Sequence, residues 1–167
     1  MSEKLYLPYS DGCFVCGHEN PHGLQVQFYA EENTVRVDLN FKDHFKSFPH
    51  ITHGGIQASI LDEAMGWAAF LNSDIETFLF TRELTVTYKR NAPLGEPLLL
   101  ITEFVGMERG GIYATKGKIV DMAGKVITIA KGLFFPISQE KMDETLSHLC
   151  FLDNVTYHPK AIKYCKR

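Results

Sequence analysis

Hydrophobic and polar positions alternate in short runs along this chain, give way once to a stretch that is apolar on every side, and then alternate again. Leu24, Val26 and Phe28 fall on one face of a short run, and Val35, Val37 and Leu39 on one face of the next. Glu31-Glu32-Asn33 separates them, so residues 24–40 predict a β-hairpin. Ile56 to Leu71 has no proline and is rich in Ala, Leu, Ile and Met, which predicts a helix. Its apolar side chains leave no polar face, the pattern of a helix buried all round. Four further runs predict strands: Phe78 to Tyr88, Pro97 to Gly106, Ile112 to Asp121 and Lys125 to Phe135. Turn chemistry divides them at Asn91–Gly95, at Arg109-Gly110-Gly111 and at Ala123-Gly124. Met142, Leu146 and Leu149 lie at helical spacing in a segment from Ser138 to Cys150. The pattern therefore predicts an α+β domain in which a six-stranded antiparallel sheet wraps one long buried helix, with a short C-terminal helix. One domain spans 1–167, with a structured leader at 1–23, a core at 24–136 and a helix and extension at 137–167. Such a sheet leaves open edges, so association with a second copy is expected.

Length and composition agree. A chain of 167 residues is one domain's worth, long enough to remove roughly 70% of its extended surface from water. With 45% apolar residues and 12% aromatics, the chain is a poor candidate for disorder. Seventeen basic residues against 20 acidic ones, net −3 and without a block of either sign, recommend neither nucleic acid nor an anionic membrane. The longest uncharged apolar stretch, Ala64 to Ser73, is half of what a bilayer span needs. Met1-Ser2-Glu3-Lys4 lacks a signal-peptide layout, so a cytoplasmic protein with reduced thiols at Cys13, Cys16, Cys150 and Cys165 is expected.

The chemistry concentrates at Asp62-Glu63 inside the apolar helix. An unpaired carboxylate there costs several kcal/mol or takes up a proton. Asp62 lies about two turns after Gly55, on the face that begins at the helix N-terminus, where backbone N–H groups lack partners. A donor nest and a carboxylate on one groove suit acyl transfer. The bland reading is an ion pair with a residue such as Arg82, or a place in solvent at a bend. Gly54 and Gly55 permit both a sharp entry into the helix and close approach of a ligand. His53 reads as an anchor to neighbouring backbone or as a base.

The run His53-Gly54-Gly55-Ile56-Gln57-Ala58-Ser59-Ile60-Leu61-Asp62-Glu63-Ala64 resembles the His-Gly-Gly…Asp signature of hotdog-fold acyl-CoA thioesterases of the PaaI type. Residues 81–95, ending Pro93-Leu94-Gly95, look like that family's next strand and turn. The leader Cys13-Phe14-Val15-Cys16-Gly17…Asn20-Pro21-His22-Gly23-Leu24 is similar to a branch of it. The resemblance covers about residues 13–136. It implies a homodimer, able to pair into a homotetramer, that hydrolyses acyl-CoA without a separate cofactor, coenzyme A being part of the substrate. It further implies Asp62 as general base or nucleophile, Gly54 N–H as the group that polarises the carbonyl with Gly55 and His53 beside it, and Thr81 as the hydroxyl holding water. Tyr88, Lys89, Arg90, Arg109, Gly110 and Gly111 match the coenzyme A contacts. Some relatives carry Asn six residues before the histidine, where this chain has Ser47, with His50 an extra polar group in the same loop.

Cys13 and Cys16 with His18 and His22 make a formal tetrahedral donor set, but His18 follows Cys16 too closely for a finger and no second Cys pair follows. A packed turn without metal is the expectation. Two rival functions stand beside hydrolysis. A dehydratase or hydratase would use Glu63 and a histidine; a non-catalytic acyl-CoA-binding module would not need Asp62. Ile56, Ile60, Met65 and Phe80 are the expected acyl-chain lining.

Overall fold

A computed structural model describes residues 3–165; the expectations for Met1, Ser2 and the Cys165 thiol lie outside the described residues. The elements in chain order are β1 (Leu5–Tyr6), β2 (Tyr9–Ser10), β3 (Tyr29–Glu31), β4 (Thr34–Asn40), a 3-10 turn (Asp43–Phe45), β5 (Lys46–Phe48), β6 (Ile51–Thr52), α1 (Gly54–Asn72), β7 (Leu79–Tyr88), β8 (Pro97–Glu108), β9 (Ile112–Asp121), β10 (Val126–Pro136), α2 (Gln139–Ser147), β11 (Leu149–Cys150) and α3 (Pro159–Cys165). The main sheet is antiparallel, of seven strands in the order β1-β3-β4-β8-β9-β10-β7. It wraps α1, whose Ile60, Leu61, Ala64, Met65, Ala68 and Ala69 are at most 1% exposed. The seventh strand is β1, donated by the leader through Leu5↔Ala30 and Tyr6↔Tyr29.

The predicted hairpin begins later than its alternation suggests. Gln25 adopts a φ of 53°, and the N–H groups of Leu24 and Val26 donate to Phe14 and Val15 carbonyls instead of to a sheet neighbour. The leader thus uses the first half of that run as its own partner, and β3 starts at Tyr29.

Two glycines let the sheet close on the helix. A Cβ at Gly132 would stand 2.6 Å from the Phe134 ring and 2.7 Å from Met65 Cε, and one at Gly117 would meet Leu61, Thr102 and Met65 at 3.0–3.1 Å. Gly132→Val is therefore expected to cost about 1–3 kcal/mol by overpacking, read as a lower urea midpoint with an unchanged m-value. Among the buried polar groups, Thr102 donates from its hydroxyl to the Ala64 carbonyl at 3.0 Å, tying β8 to α1.

Leader and tail meet over one end of α1. β2 pairs with β11 through Tyr9↔Cys150 and Ser10↔Leu149, and Tyr6 N–H donates to the Thr156 carbonyl at 2.8 Å. Lys160 Nζ donates to the Phe70 and Ser73 carbonyls at 2.5 and 2.6 Å, a cation on the C-terminus of α1 where the helix dipole favours it. No helix among the described residues is long and apolar enough to cross a membrane.

Candidate active site

Asp62 and Glu63 hang side by side from the middle of α1 and open onto a cavity of about 400 Å³. Trp67, Phe70, Phe78, Phe80 and Phe134 make it mostly apolar, and Pro8, Ser10, Thr145 and Leu149 from the leader and tail close it. Asp62 Oδ1 accepts the Thr81 hydroxyl at 2.8 Å. Burial raises the Asp62 carboxyl above its ordinary value, and the Thr81 hydrogen bond opposes the rise. Among the described residues no lysine, arginine or histidine forms an ion pair with Asp62 or Glu63, so Arg82 neutralises neither. A carboxylate that keeps its lone pairs in an apolar cleft can take a proton from water or attack a carbonyl.

His53 occupies the N-cap of α1, and its Nδ1 accepts the Gly55 N–H at 2.9 Å. That engages Gly55 and makes the ring an anchor. Gly54, the first helical residue, has an N–H with no intrahelical acceptor. The Tyr88 hydroxyl donates to the Gly54 carbonyl at 2.8 Å, and a Cβ on Gly54 would lie 3.0 Å from that ring. Tyr88 therefore braces the turn in which the free N–H is presented. Ser47 donates to the Ile51 carbonyl at 3.4 Å, holding β5 to β6 next to this turn, and His50 takes a φ of 63°.

One copy of the chain does not assemble all these groups. Gly54 and Asp62 are eight residues apart on one helix, roughly 12 Å along its axis, too far for both to touch one carbonyl. Tyr88 is in register with Thr128, and Thr128 with Ile119, whereas Arg109, Gly110 and Gly111 form the turn before Ile112. The seven residues from Ile119 to Ile112 put Tyr88, Lys89 and Arg90 roughly 23 Å from that turn along the sheet. Gly110 and Gly111 adopt φ of 83° and 73°, conformations that fit a tight exposed hairpin. Of the expected acyl lining only Phe80 reaches the cavity; Ile60 and Met65 are 1% and 0% exposed and belong to the main core, against which Ile56 packs.

The leader brings what the spacing along the chain did not reveal. Cys13 and Cys16 fold down onto Glu63, with Cys13 Sγ 3.5 Å from Glu63 Oε2. Hydrogen bonding from the Cys16 thiol, with backbone N–H groups of Cys16 and Val15, draws Cys13 down to about 5 against its burial. Burial and the Cys13 charge raise Glu63 to about 8, and hydrogen bonding to Cys13 with burial keeps Cys16 protonated. His18 turns away to Gln27 Oε1 at 3.0 Å, and His22 is exposed.

Comparison with known proteins fits this architecture. Residues 50–110, from before the α1 N-cap to the β8–β9 turn, match the thioesterase superfamily. A crystal structure of a thioesterase superfamily protein aligns with 28% identity and a TM-score of 0.67, over 74% of this chain and 60% of that one. The fold is the hotdog fold of the thioesterase superfamily. This hotdog chain spans about 60% of the length of that relative. The Escherichia coli PaaI protein of the phenylacetic acid degradation operon shares the fold at 16% identity and a TM-score of 0.60, over 69% of this chain and 81% of its own. A Streptococcus mutans protein bound to acetyl CoA does so at 17% identity and 0.60, over 68% and 89%. No curated protein sequence matches the hotdog chain.

Proposed function

We propose that this chain hydrolyses acyl-CoA thioesters to free acid and coenzyme A. The observation that carries the reading is Asp62: a carboxylate that pairs with no cation among the described residues, hydrogen-bonded to Thr81, in the lining of an apolar cavity. Asp62 acts as general base on a water held by Thr81, or attacks the carbonyl directly; Gly54 N–H grips the carbonyl oxygen as charge builds on it.

The distance between Gly54 and Asp62 calls for two copies. β7 is a ten-residue strand at the sheet edge, with seven positions exposed, the kind of edge that pairs with another chain. Its Thr81 end carries Asp62 and its Tyr88 end carries Gly54. Antiparallel pairing of two β7 edges about a two-fold axis sets Thr81 and Asp62 of one copy beside Tyr88 and Gly54 of the other. The same pairing draws Tyr88, Lys89 and Arg90 of one copy toward the Arg109-Gly110-Gly111 turn of the other, where cations and open backbone suit the anionic nucleotide end of coenzyme A. The active unit is then a homodimer, with a dimer of dimers compatible, and the cytoplasm is its place. The dehydratase reading is not favoured, because Glu63 faces Cys13 and Cys16 rather than a histidine.

A panel of acyl-CoAs differing in chain length, followed by thiol release, tests the reading; failure to turn over any thioester overturns it. Thr81→Val is expected to move the acid limb of kcat/KM to higher pH. Losing the hydroxyl removes the one interaction that lowers the already raised Asp62 carboxyl, so more alkaline solution is needed to ionise it. A pH–rate profile checks this, and an unmoved limb counts against Asp62 as the titrating base.

A further inference from the structure

The hydrolytic reading leaves unused three groups that the fold places together. Cys13 Sγ, Cys16 Sγ and a Glu63 carboxylate oxygen all lie within 4.8 Å of one another. Two arise from the leader and the third from α1, fifty residues away in sequence. The Cys13–Glu63 distance of 3.5 Å matches the edge of a tetrahedron: ligands bound at about 2.3 Å (sulfur) and 2.0 Å (oxygen) to one zinc ion stand roughly 3.5 Å apart.

The turn around the cysteines is shaped to hold sulfur as an acceptor. Val15 N–H and Cys16 N–H point at Cys13 Sγ at 3.3 and 3.5 Å, and Ser10 N–H points at Cys16 Sγ at 3.3 Å. Such outer donors ease the crowding of two thiolates at one centre. Gly17 is needed for the turn to close this tightly, since a Cβ there would stand 2.6 Å from the Cys13 carbonyl oxygen. Glu63, mostly buried, meets no cationic side chain among the described residues. As metal ligands they would act as two thiolates and a carboxylate, three negative charges of which a divalent cation at their centre would leave only one. All three residues line the cavity, so a fourth coordination position faces its interior.

We propose that Cys13, Cys16 and Glu63 bind one divalent cation of the zinc class, with its fourth position open to the cavity. The sequence expectation of no metal weighed His18 and His22 as the remaining donors. Glu63 takes their place, while His18 stays with Gln27 and its ring packs 4.5 Å from that of Tyr9. Zinc at this position fastens the leader to α1 whether or not the neighbouring Asp62 hydrolyses a thioester.

The test uses the full chain, reduced, stripped with a chelator and desalted, then titrated with cobalt(II) chloride. One equivalent is expected to give a sulfur-to-cobalt charge-transfer band and the intense visible bands of a tetrahedral ion, and zinc chloride should discharge both. Cys13→Ser or Cys16→Ser should remove the charge-transfer band or halve it, and Glu63→Gln should weaken zinc binding at least about a hundredfold. His18→Ala and His22→Ala should leave it unchanged. Intact-mass analysis keeps the proposal falsifiable if a variant fails to fold: zinc should protect two of the four cysteines of the wild-type chain from alkylation. No cobalt band, zinc affinity retained by Glu63→Gln, loss of binding in a histidine variant, or a Cys13–Cys16 disulfide that persists in reductant and excludes zinc would each overturn it.

Discussion

Asp62→Asn is expected to lower thiol release from acyl-CoA by at least about a hundredfold while making the fold more stable at neutral pH. The two effects share one cause. Burial raises the folded-state Asp62 carboxyl above its unfolded value, so the folded chain holds this proton more tightly than the unfolded one. The stability it contributes is fully present below the unfolded carboxyl range and is lost as pH rises through the folded value. At pH 7 the ionised carboxylate is therefore a cost, which asparagine removes without changing shape. Thermal melts should show a higher Tm for the variant at pH 7, with the gap narrowing toward pH 4. A variant that keeps wild-type turnover would end the catalytic assignment, and one that melts lower at neutral pH would end the account of its burial.

Gly54→Pro should cost about 10²–10³ in kcat, the usual consequence of deleting one oxyanion donor. Proline removes the N–H at the first helical position, where helices tolerate it, and His53 already has the φ of −58° and ψ of 134° that a residue before proline adopts. Its Cβ presses on the Tyr88 ring at 3.0 Å, so Gly54→Ala, which keeps the N–H, measures that contact alone. The informative experiment mixes this variant with Asp62→Asn after dissociation and reassociation. If each site takes Asp62 from one copy and Gly54 from the other, a heterodimer has one site with both lesions and one with neither. Random pairing then restores about a quarter of wild-type turnover from two nearly inactive parents. A site contained in one chain would give no recovery, and the β7-edge arrangement would fall with it.

The central helix and the strands after it were legible because their signals are local. Ile56 to Leu71 is apolar in every direction, and Gly54-Gly55 marks its start, so α1 and the exceptional position of Asp62 follow from one dimension. The same all-round apolarity hid which residues face the cavity: Ile60 and Met65 are indistinguishable in pattern from Trp67, yet the first two are buried in the main core and the last lines the cleft. Glu63 was the deeper gap. Its partners come from a turn fifty residues earlier, and no periodicity reports that Cys13 and Cys16 fold over the helix. The leader misled the hairpin reading for the same reason, since Leu24 and Val26 alternate like a strand but bond to Phe14 and Val15.

The clasp between β2 and β11 bears on how selectivity could diverge. Asp62 and Thr81 belong to the floor of the cleft, set by α1 and β7, whereas Pro8, Ser10, Thr145 and Leu149 form its roof. Roof and floor are different stretches of polypeptide. Substitutions above can lengthen, shorten or narrow the space for an acyl tail while the reacting groups below keep their positions. On the hydrolytic reading, such a division would let the tolerated tail length change while Asp62 and Thr81 stay in place.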